Sequence, residues 1–422
     1  MEIKVTKIGY ADLMKKKPKA LPQAKKPNWL FRTLLKIVSL PDLWAVHFQC
    51  RKNGMEKLSK KQPCFILMNH SSFIDLEIVS SIFYPRPLNI VATWDGFIGR
   101  NWLMREIGCL QTKKFMVGPK LIRDMKQALK RKTSVVMFPE AGYSFDGTAT
   151  TIPESLGKCV KLFGVPLVSV ITQGAFHRQP LYNNLKKRKV DVSADMTYLL
   201  SPEEIEKMSV DEINAVIAKT FSFDNFRHQR ENGIIIDEPD RAEGLNRVLY
   251  KCPHCLAEGQ TVGAGTRLTC KACGKSYELT TLGAMQALDG ETEIDHIPNW
   301  YAWERKCARE ELEKGGYRAE YDVDVMVMVD SYHLYDVGEG KLIHDEDGFH
   351  LTASDGELNF TESATASYSV NSDFFWYQLA DTVCVGDLNV QYYCFPKAKY
   401  GDVVAKERLI AEELFKIKTK KD

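Results

Sequence analysis

The sequence predicts an α/β protein: a layered domain around a mainly parallel central sheet, then a small cysteine ribbon, then a C-terminal antiparallel β domain closed by a helix. Three observations carry this. From Gln62 to Thr172, short apolar runs alternate with segments of helical spacing, the pattern of an α/β layer structure. Two Cys-x-x-Cys pairs follow, fourteen residues apart. Beyond Tyr321, apolar residues recur with period two between glycine-containing turns, as antiparallel strands do.

At 422 residues the chain has room for two to three domains. A charged fraction of 27% against 44% hydrophobic is that of a soluble globular protein. The net charge of +2 disfavours a nucleic-acid partner, so none is expected, and any attraction to anionic surfaces must be local. Eleven cysteines without disulfide-like spacing, behind a start that lacks an apolar leader, imply a reducing cytoplasmic compartment.

Residues 1–60 read as a membrane-docking segment. Eight basic residues and no acid lie between Leu13 and Pro41: Lys15, Lys16, Lys17, Lys19, Lys25, Lys26, Arg32 and Lys36. Trp29-Leu30-Phe31, Leu34-Leu35 and Ile37-Val38 give a helix with a broad apolar face and a narrow cationic one, suited to anionic lipid. A solvated tail followed by an ordinary packed helix fits the same residues. Arg32, Lys36, Pro41 and Asp42 interrupt Trp29–Phe48, too short an apolar run to span a bilayer. Membrane contact is therefore expected to be peripheral, at the cytoplasmic face.

The layered domain is expected over 61–235. Cys64–Met68 reads as a buried strand leading into Asn69-His70, with Asp75 five residues after the histidine and a helix through Leu76, Ile78, Val79 and Ile82. A carboxylate folded back onto an imidazole fixes its tautomer and frees the other nitrogen as a general base. A surface histidine beside a helix cap is the plainer reading of this motif alone. Strands are expected at Leu88–Ala92, Cys109–Thr112, Ser134–Phe138 and Val165–Thr172, and helices at 100–107, 119–132 and 155–163. Lys113-Lys114 and Phe138-Pro139-Glu140 then fall near strand ends, where ligands of parallel sheets bind. Ser201-Pro202-Glu203-Glu204 opens a further helix with a serine cap and proline at its first position.

Asn69-His70-Ser71-Ser72-Phe73-Ile74-Asp75, then Phe138-Pro139-Glu140, then Val165-Pro166-Leu167-Val168, resembles the glycerolipid acyltransferases, especially 1-acylglycerol-3-phosphate acyltransferases, in residues, order and spacing. The resemblance covers roughly residues 30 to 220. It implies transfer of a fatty acyl group from acyl-CoA or acyl carrier protein to a glycerolipid hydroxyl in phospholipid synthesis, with His70 as base and Asp75 orienting it. It also implies a substrate-binding set of Asn69, Lys113, Lys114, Phe138, Pro139, Glu140, Ala141 and Gly142, and no catalytic cofactor. Lys114 stands where the family carries a phosphate-holding arginine, and Tyr143 where another arginine often follows. A lysophospholipid, glycolipid or other acceptor is thus open beside 1-acylglycerol-3-phosphate. An inactive lipid-binding scaffold that keeps the fold is the alternative.

Cys252, Cys255, Cys270 and Cys273 match a zinc ribbon at 248–282, with four thiolates around a structural zinc and no open position for substrate. Gly274 eases the second knuckle turn, and His254 reads as a bystander. Over 290–422, a helix at 299–314 precedes strands at Tyr321–Asp330, Phe349–Thr352, Glu357–Phe360, Phe374–Leu379, Val383–Val385 and Val390–Phe395, with turns at Gly338, Gly340, Gly348, Gly356 and Gly386. A helix at 403–418 closes the chain, a pleckstrin-homology-like layout by element order.

Overall fold

The structure, a computed structural model, describes residues 3–19, 23–114, 118–140 and 142–420. It divides into two compact units. One comprises Leu21–Gln179 with Lys187–Asn225; the other comprises Met1–Ala20, Pro180–Lys186 and Phe226–Asp422. The first sixty residues are thus divided between the two units. Strand β1 (Val5–Lys7) belongs to the second unit, while the helix Trp29–Ala45 belongs to the first.

The first unit is built on seven strands: β2 (Gln49–Asn53), β3 (Phe65–Met68), β4 (Leu88–Thr93), β5 (Cys109–Thr112), β6 (Ser134–Met137), β7 (Leu167–Gln173) and β8 (Ser193–Leu200). Their order is β2-β8-β7-β3-β6-β4-β5, parallel throughout except between β7 and β8. The central strand β3 is a continuous apolar run because helices cover both faces of a parallel sheet. Phe65 and Leu67 pack into one layer with Leu121, Met125, Leu156 and Val160, and Ile66 and Met68 into the other with Ile74 and Ile78. All four are essentially inaccessible, each contributing about 1.5–3 kcal/mol by burial. Ser201 caps Pro202–Lys207 as the sequence suggests, and Glu204 makes the cap reciprocal by accepting from the Ser201 amide.

The helix Trp29–Ala45 starts at Asn28, whose side chain accepts from the Leu30 amide at 2.9 Å. Leu43 is buried and Phe31 and Leu35 pack on the core, while Trp29, Leu30, Leu34, Ile37, Val38 and Trp44 are exposed. Arg32 and Lys36 do not form a cationic stripe. Arg32 donates to the Pro85 carbonyl at 2.8 Å, and Lys36 to that of Ser81 at 3.5 Å. The outward face is apolar, and its flanking cations fold onto the body. Among the described residues, no helix is long and apolar enough to cross a membrane.

In the second unit, β9 (Thr261–Ala264), β10 (Arg267–Cys270), β11 (Ser276–Leu279) and β12 (Met285–Ala287) form a four-stranded antiparallel ribbon ordered β12-β11-β10-β9. Strands β13 (Arg318–Met328), β14 (Leu334–Asp345), β15 (Gly348–Ala353), β16 (Leu358–Ser363), β17 (Asn371–Trp376), β18 (Ala380–Gly386) and β19 (Gln391–Pro396) form a sheet ordered β16-β15-β14-β13-β19-β18-β17, with β1 parallel on β14. Gly338 and Gly340 are not turns, as the sequence suggests, but lie inside β14. The register slips between Val325/Gly338 and Met326/Asp336, leaving Val337 as the extra residue of a bulge with Gly338 at φ +94°. A Cβ on Gly340 would stand 2.6 Å from the Thr352 carbonyl. The last helix, Val404–Thr419, lies against β17, β18 and the helix Ile297–Glu313. Its inaccessible Glu407 pairs with His344 and accepts from Tyr317 at 3.0 Å and Tyr321 at 2.6 Å.

Candidate active site

Strand register decides which side chains meet. Leu67 of β3 is level with Met137 of β6. His70 and Glu140, each three residues further on, therefore leave the sheet side by side. Glu140 Oε2 accepts from the His70 amide at 2.7 Å, and its Oε1 accepts from the Thr150 amide at 2.9 Å. Glu140 is 3% exposed, so both oxygens are committed to backbone donors in a dry setting. The Ser144 amide donates to the His70 carbonyl at 3.2 Å. The histidine's peptide is thus held from both sides.

Asp75 is the second residue of the helix Ile74–Ile82 and is fully buried. Its Oδ2 lies 3.1 Å from His70 Nδ1 and accepts from the amides of Ser71 at 2.7 Å and Ser72 at 3.0 Å. An oxygen already holding two amide protons is an acceptor towards the imidazole as well. Nδ1 then carries the proton, and the Nε2 lone pair is left for a reacting hydroxyl. The ring stacks on Tyr143 at 4.0 Å between centroids and on Phe138 at 4.3 Å. Phe73 meets Tyr143 edge-on at 5.8 Å.

The other expected residues fall into three groups. Phe138 and Glu140 touch the histidine, with Pro139 between them in the chain and Gly142 two residues on; Ala141 lies outside the described residues. Asn69 is fully buried, its side chain bonded to Thr172 (2.8 Å from the amide, 3.1 Å from the hydroxyl, 3.3 Å to the carbonyl) and to Ser71 Oγ at 3.1 Å. It positions the loop that carries His70. Lys113 and Lys114 follow β5, three strands from β3 and so roughly 14 Å away by strand spacing. Thr93 of β4 is level with Thr112 of β5, which places Asp95 beside Lys114, two residues further on each strand. They form an ion pair at 3.0 Å with side chains 7% and 9% exposed. The Lys113 ammonium sits 4.4 Å from the Trp94 ring centre.

Asp95, Thr150 and Thr172 were not among the candidate residues, and Tyr143 was noted only as standing where an arginine often follows. Asp95 had one usable signal, a carboxylate just past a strand that ends beside another.

In the ribbon, the sulfurs of Cys252, Cys255, Cys270 and Cys273 all lie within 4.8 Å of one another, at 3.9 Å for Cys252/Cys273 and 3.7 Å for Cys255/Cys270. Sulfurs about 2.3 Å from a tetrahedral zinc stand roughly 3.8 Å apart, so the donor set fits such an ion. None of the four is in a disulfide. The knuckles repeat each other: the Leu256 amide donates to the Cys252 carbonyl and the Gly274 amide to that of Cys270, both at 2.9 Å. Leu256 (φ +64°) takes the left-handed place that Gly274 (φ +78°) fills in the second. Burial pushes the Cys252 thiol up to about 12, so a bound ion displaces protons at neutral pH. His254 pairs instead with Glu293 at 2.9 Å.

Residues 49–173, from the start of β2 to the end of β7, match the family model described as Acyltransferase. This span holds His70, Asp75 and Glu140. Among solved structures, the chain is similar to the 1-acyl-sn-glycerophosphate (LPA) acyltransferase PlsC from Thermotoga maritima, at 17% identity and a TM-score of 0.35, over 45% of this chain and 78% of that one. No curated protein matches the chain.

Proposed function

We propose, from the match of residues 49–173 to the Acyltransferase family model, that the protein transfers a fatty acyl group from a thioester, acyl-CoA or acyl carrier protein, to a glycerolipid hydroxyl in phospholipid synthesis. The reading is carried by His70 Nδ1 at 3.1 Å from an Asp75 oxygen that also holds two amides. His70 Nε2 takes the hydroxyl proton as the oxygen attacks the thioester carbonyl. The C–S bond then breaks, and the thiolate leaves with the proton returned by the imidazolium. Asp75 stabilises that imidazolium, and Glu140 holds the peptide on which His70 is mounted. The Ser71 and Ser72 amides are engaged by Asp75, so the oxyanion falls to other donors.

Membrane docking rests on the exposed apolar face of Trp29, Leu30, Leu34, Ile37, Val38 and Trp44, with Trp102 (65% exposed) packed on Phe31 at 5.1 Å. This favours apolar insertion at the cytoplasmic face over the electrostatic attachment that the basic run suggests, since Lys16 and Lys19 lie over the rings of Tyr335 and Tyr332. The cysteine group is read as a structural zinc site. The strand order of the C-terminal sheet, with its closing helix, supports a pleckstrin-homology-like module for lipid headgroups or a partner. The scaffold reading has less support, since an idle site has no need of the fixed tautomer.

The test is acyl transfer by the purified chain to a mixed glycerolipid pool, read by mass spectrometry, with His70→Ala abolishing product while the protein stays folded. An alanine variant of near-normal turnover removes the mechanism.

A further inference from the structure

The imidazole of His70 lies between two aromatic rings. Tyr143 is 4.0 Å away between centroids and inclined by 28°, and Phe138 is 4.3 Å away and inclined by 30°. Two rings that near and that close to parallel would overlap on one side, so they take opposite faces. The Nδ1 edge is held by Asp75 at 3.1 Å, which leaves the Nε2 edge for a substrate. The two faces differ in origin. Phe138 belongs to the Phe-Pro-Glu motif, whereas Tyr143 stands where the resembled family often carries an arginine. Phe73, three residues after the histidine, meets Tyr143 at 5.8 Å and backs its ring from the loop that carries the base.

The reaction changes the charge between these rings. His70 is neutral before it takes the hydroxyl proton and positive once it holds it. The face of an aromatic ring attracts a cation within about 6 Å of its centre, and both rings stand well inside that range. A neutral imidazole gains only ordinary stacking from them. The added attraction therefore arises as the transition state forms, and it raises turnover rather than substrate affinity. Asp75 stabilises the same cation, but from the Nδ1 edge alone, through an oxygen shared with the Ser71 and Ser72 amides. Glu140 meets the peptide of His70 and not its ring. The two rings act on the rest of the cation and keep water from its faces.

We propose that Tyr143 is a positioning residue of the transfer: with Phe138 it clamps the imidazole, and its ring face stabilises the imidazolium. The ring, not the phenol hydroxyl, carries the effect. The inference rests on the acyl-transfer reading of His70 and adds to it a residue outside the shared motif.

The experiment follows thiol release by the full-length protein with oleoyl-CoA as donor and the mixed glycerolipid pool as acceptor. Tyr143→Leu should lower kcat about tenfold and leave KM for oleoyl-CoA unchanged. The acid limb of its kcat/KM profile should move to lower pH, because the protonated ring has lost a stabilising face while Asp75 and Glu140 remain. Tyr143→Phe should rescue most of the loss. Fluorinating that phenylalanine ring stepwise weakens the attraction of its face for a cation at nearly constant shape, and kcat should fall at each step. This series decides the matter even if the leucine variant does not fold. A fully fluorinated ring that turns over as fast as phenylalanine overturns the inference and leaves the acyl-transfer reading standing. So does a folded Tyr143→Leu protein whose loss lies in KM, or whose pH profile stays in place. Absence of transfer by the unmodified protein to every member of the pool removes the acyl-transfer reading and this inference with it.

Discussion

His70 and Asp75 meet through a single carboxylate oxygen that also holds the amides of Ser71 and Ser72. Asp75→Asn tests that sharing. The asparagine carbonyl must stay on the two amides and therefore on Nδ1 as well, so the tautomer is kept and what is lost is the negative charge that stabilises the imidazolium. The expected outcome is a folded protein with kcat lower by about 10²–10⁴. Steady-state thiol release together with circular dichroism checks both halves.

Glu140 accepts from His70 and Thr150 through different oxygens. Glu140→Gln keeps one acceptor and sets an NH2 against a backbone N–H in a site that is 3% exposed. Stability should fall by about 1–3 kcal/mol, with activity lost in step. Urea unfolding measures the first, and an unchanged midpoint would contradict the assignment.

Glu362, on β16, is 8% exposed and accepts from the Gly386 amide at 2.9 Å. Burial raises its carboxyl to about 7. A folded value above the unfolded one means the stabilising contribution is complete below about 4.5 and is lost as pH rises through about 7. Glu362→Gln should therefore gain roughly 1–3 kcal/mol at pH 8 and little at pH 4.5. Equal gains at the two pH values would rule out titration as the cause.

The four sulfurs of the ribbon predict one tightly held metal ion per chain. Removing it, or making Cys252→Ser, should expose the 248–282 segment to proteolysis. Elemental analysis with limited digestion reads both, and a metal-free chain of native protease resistance would argue against a structural ion.

If the helix Trp29–Ala45 inserts its apolar face, Trp29→Glu with Ile37→Glu should weaken vesicle binding by about tenfold or more. Raising the salt should matter little for the unmodified protein, because the face carries no cationic stripe. Strong salt sensitivity in a flotation assay would return the role to the lysines.

His70, Asp75 and Glu140 were legible because their spacing places them at the ends of apolar runs. Their partners were less so. Whether Glu140 meets the His70 peptide, or Lys114 meets Asp95, depends on which strands lie level, and register between strands distant in sequence leaves no local trace. Asn69 and Lys114 were expected to face a substrate, yet each is taken up inside the fold. In the C-terminal sheet, β13 was readable from Tyr321, Val323, Val325 and Val327, all buried. Strand β14 was not, because a bulge needs Gly338 and close contact with Thr352 needs Gly340, and both glycines look like breaks.

Strand β1 pairs Val5, Thr6 and Lys7 with Leu334, Tyr335 and Asp336. During synthesis at about 5–20 residues per second, the first of these leaves the ribosome roughly 20–60 s before its partner exists. The layered unit can therefore be completed with β1 still waiting for its partner. A fusion partner that sequesters Val5–Lys7 would leave this late-made sheet short of a strand made long before it.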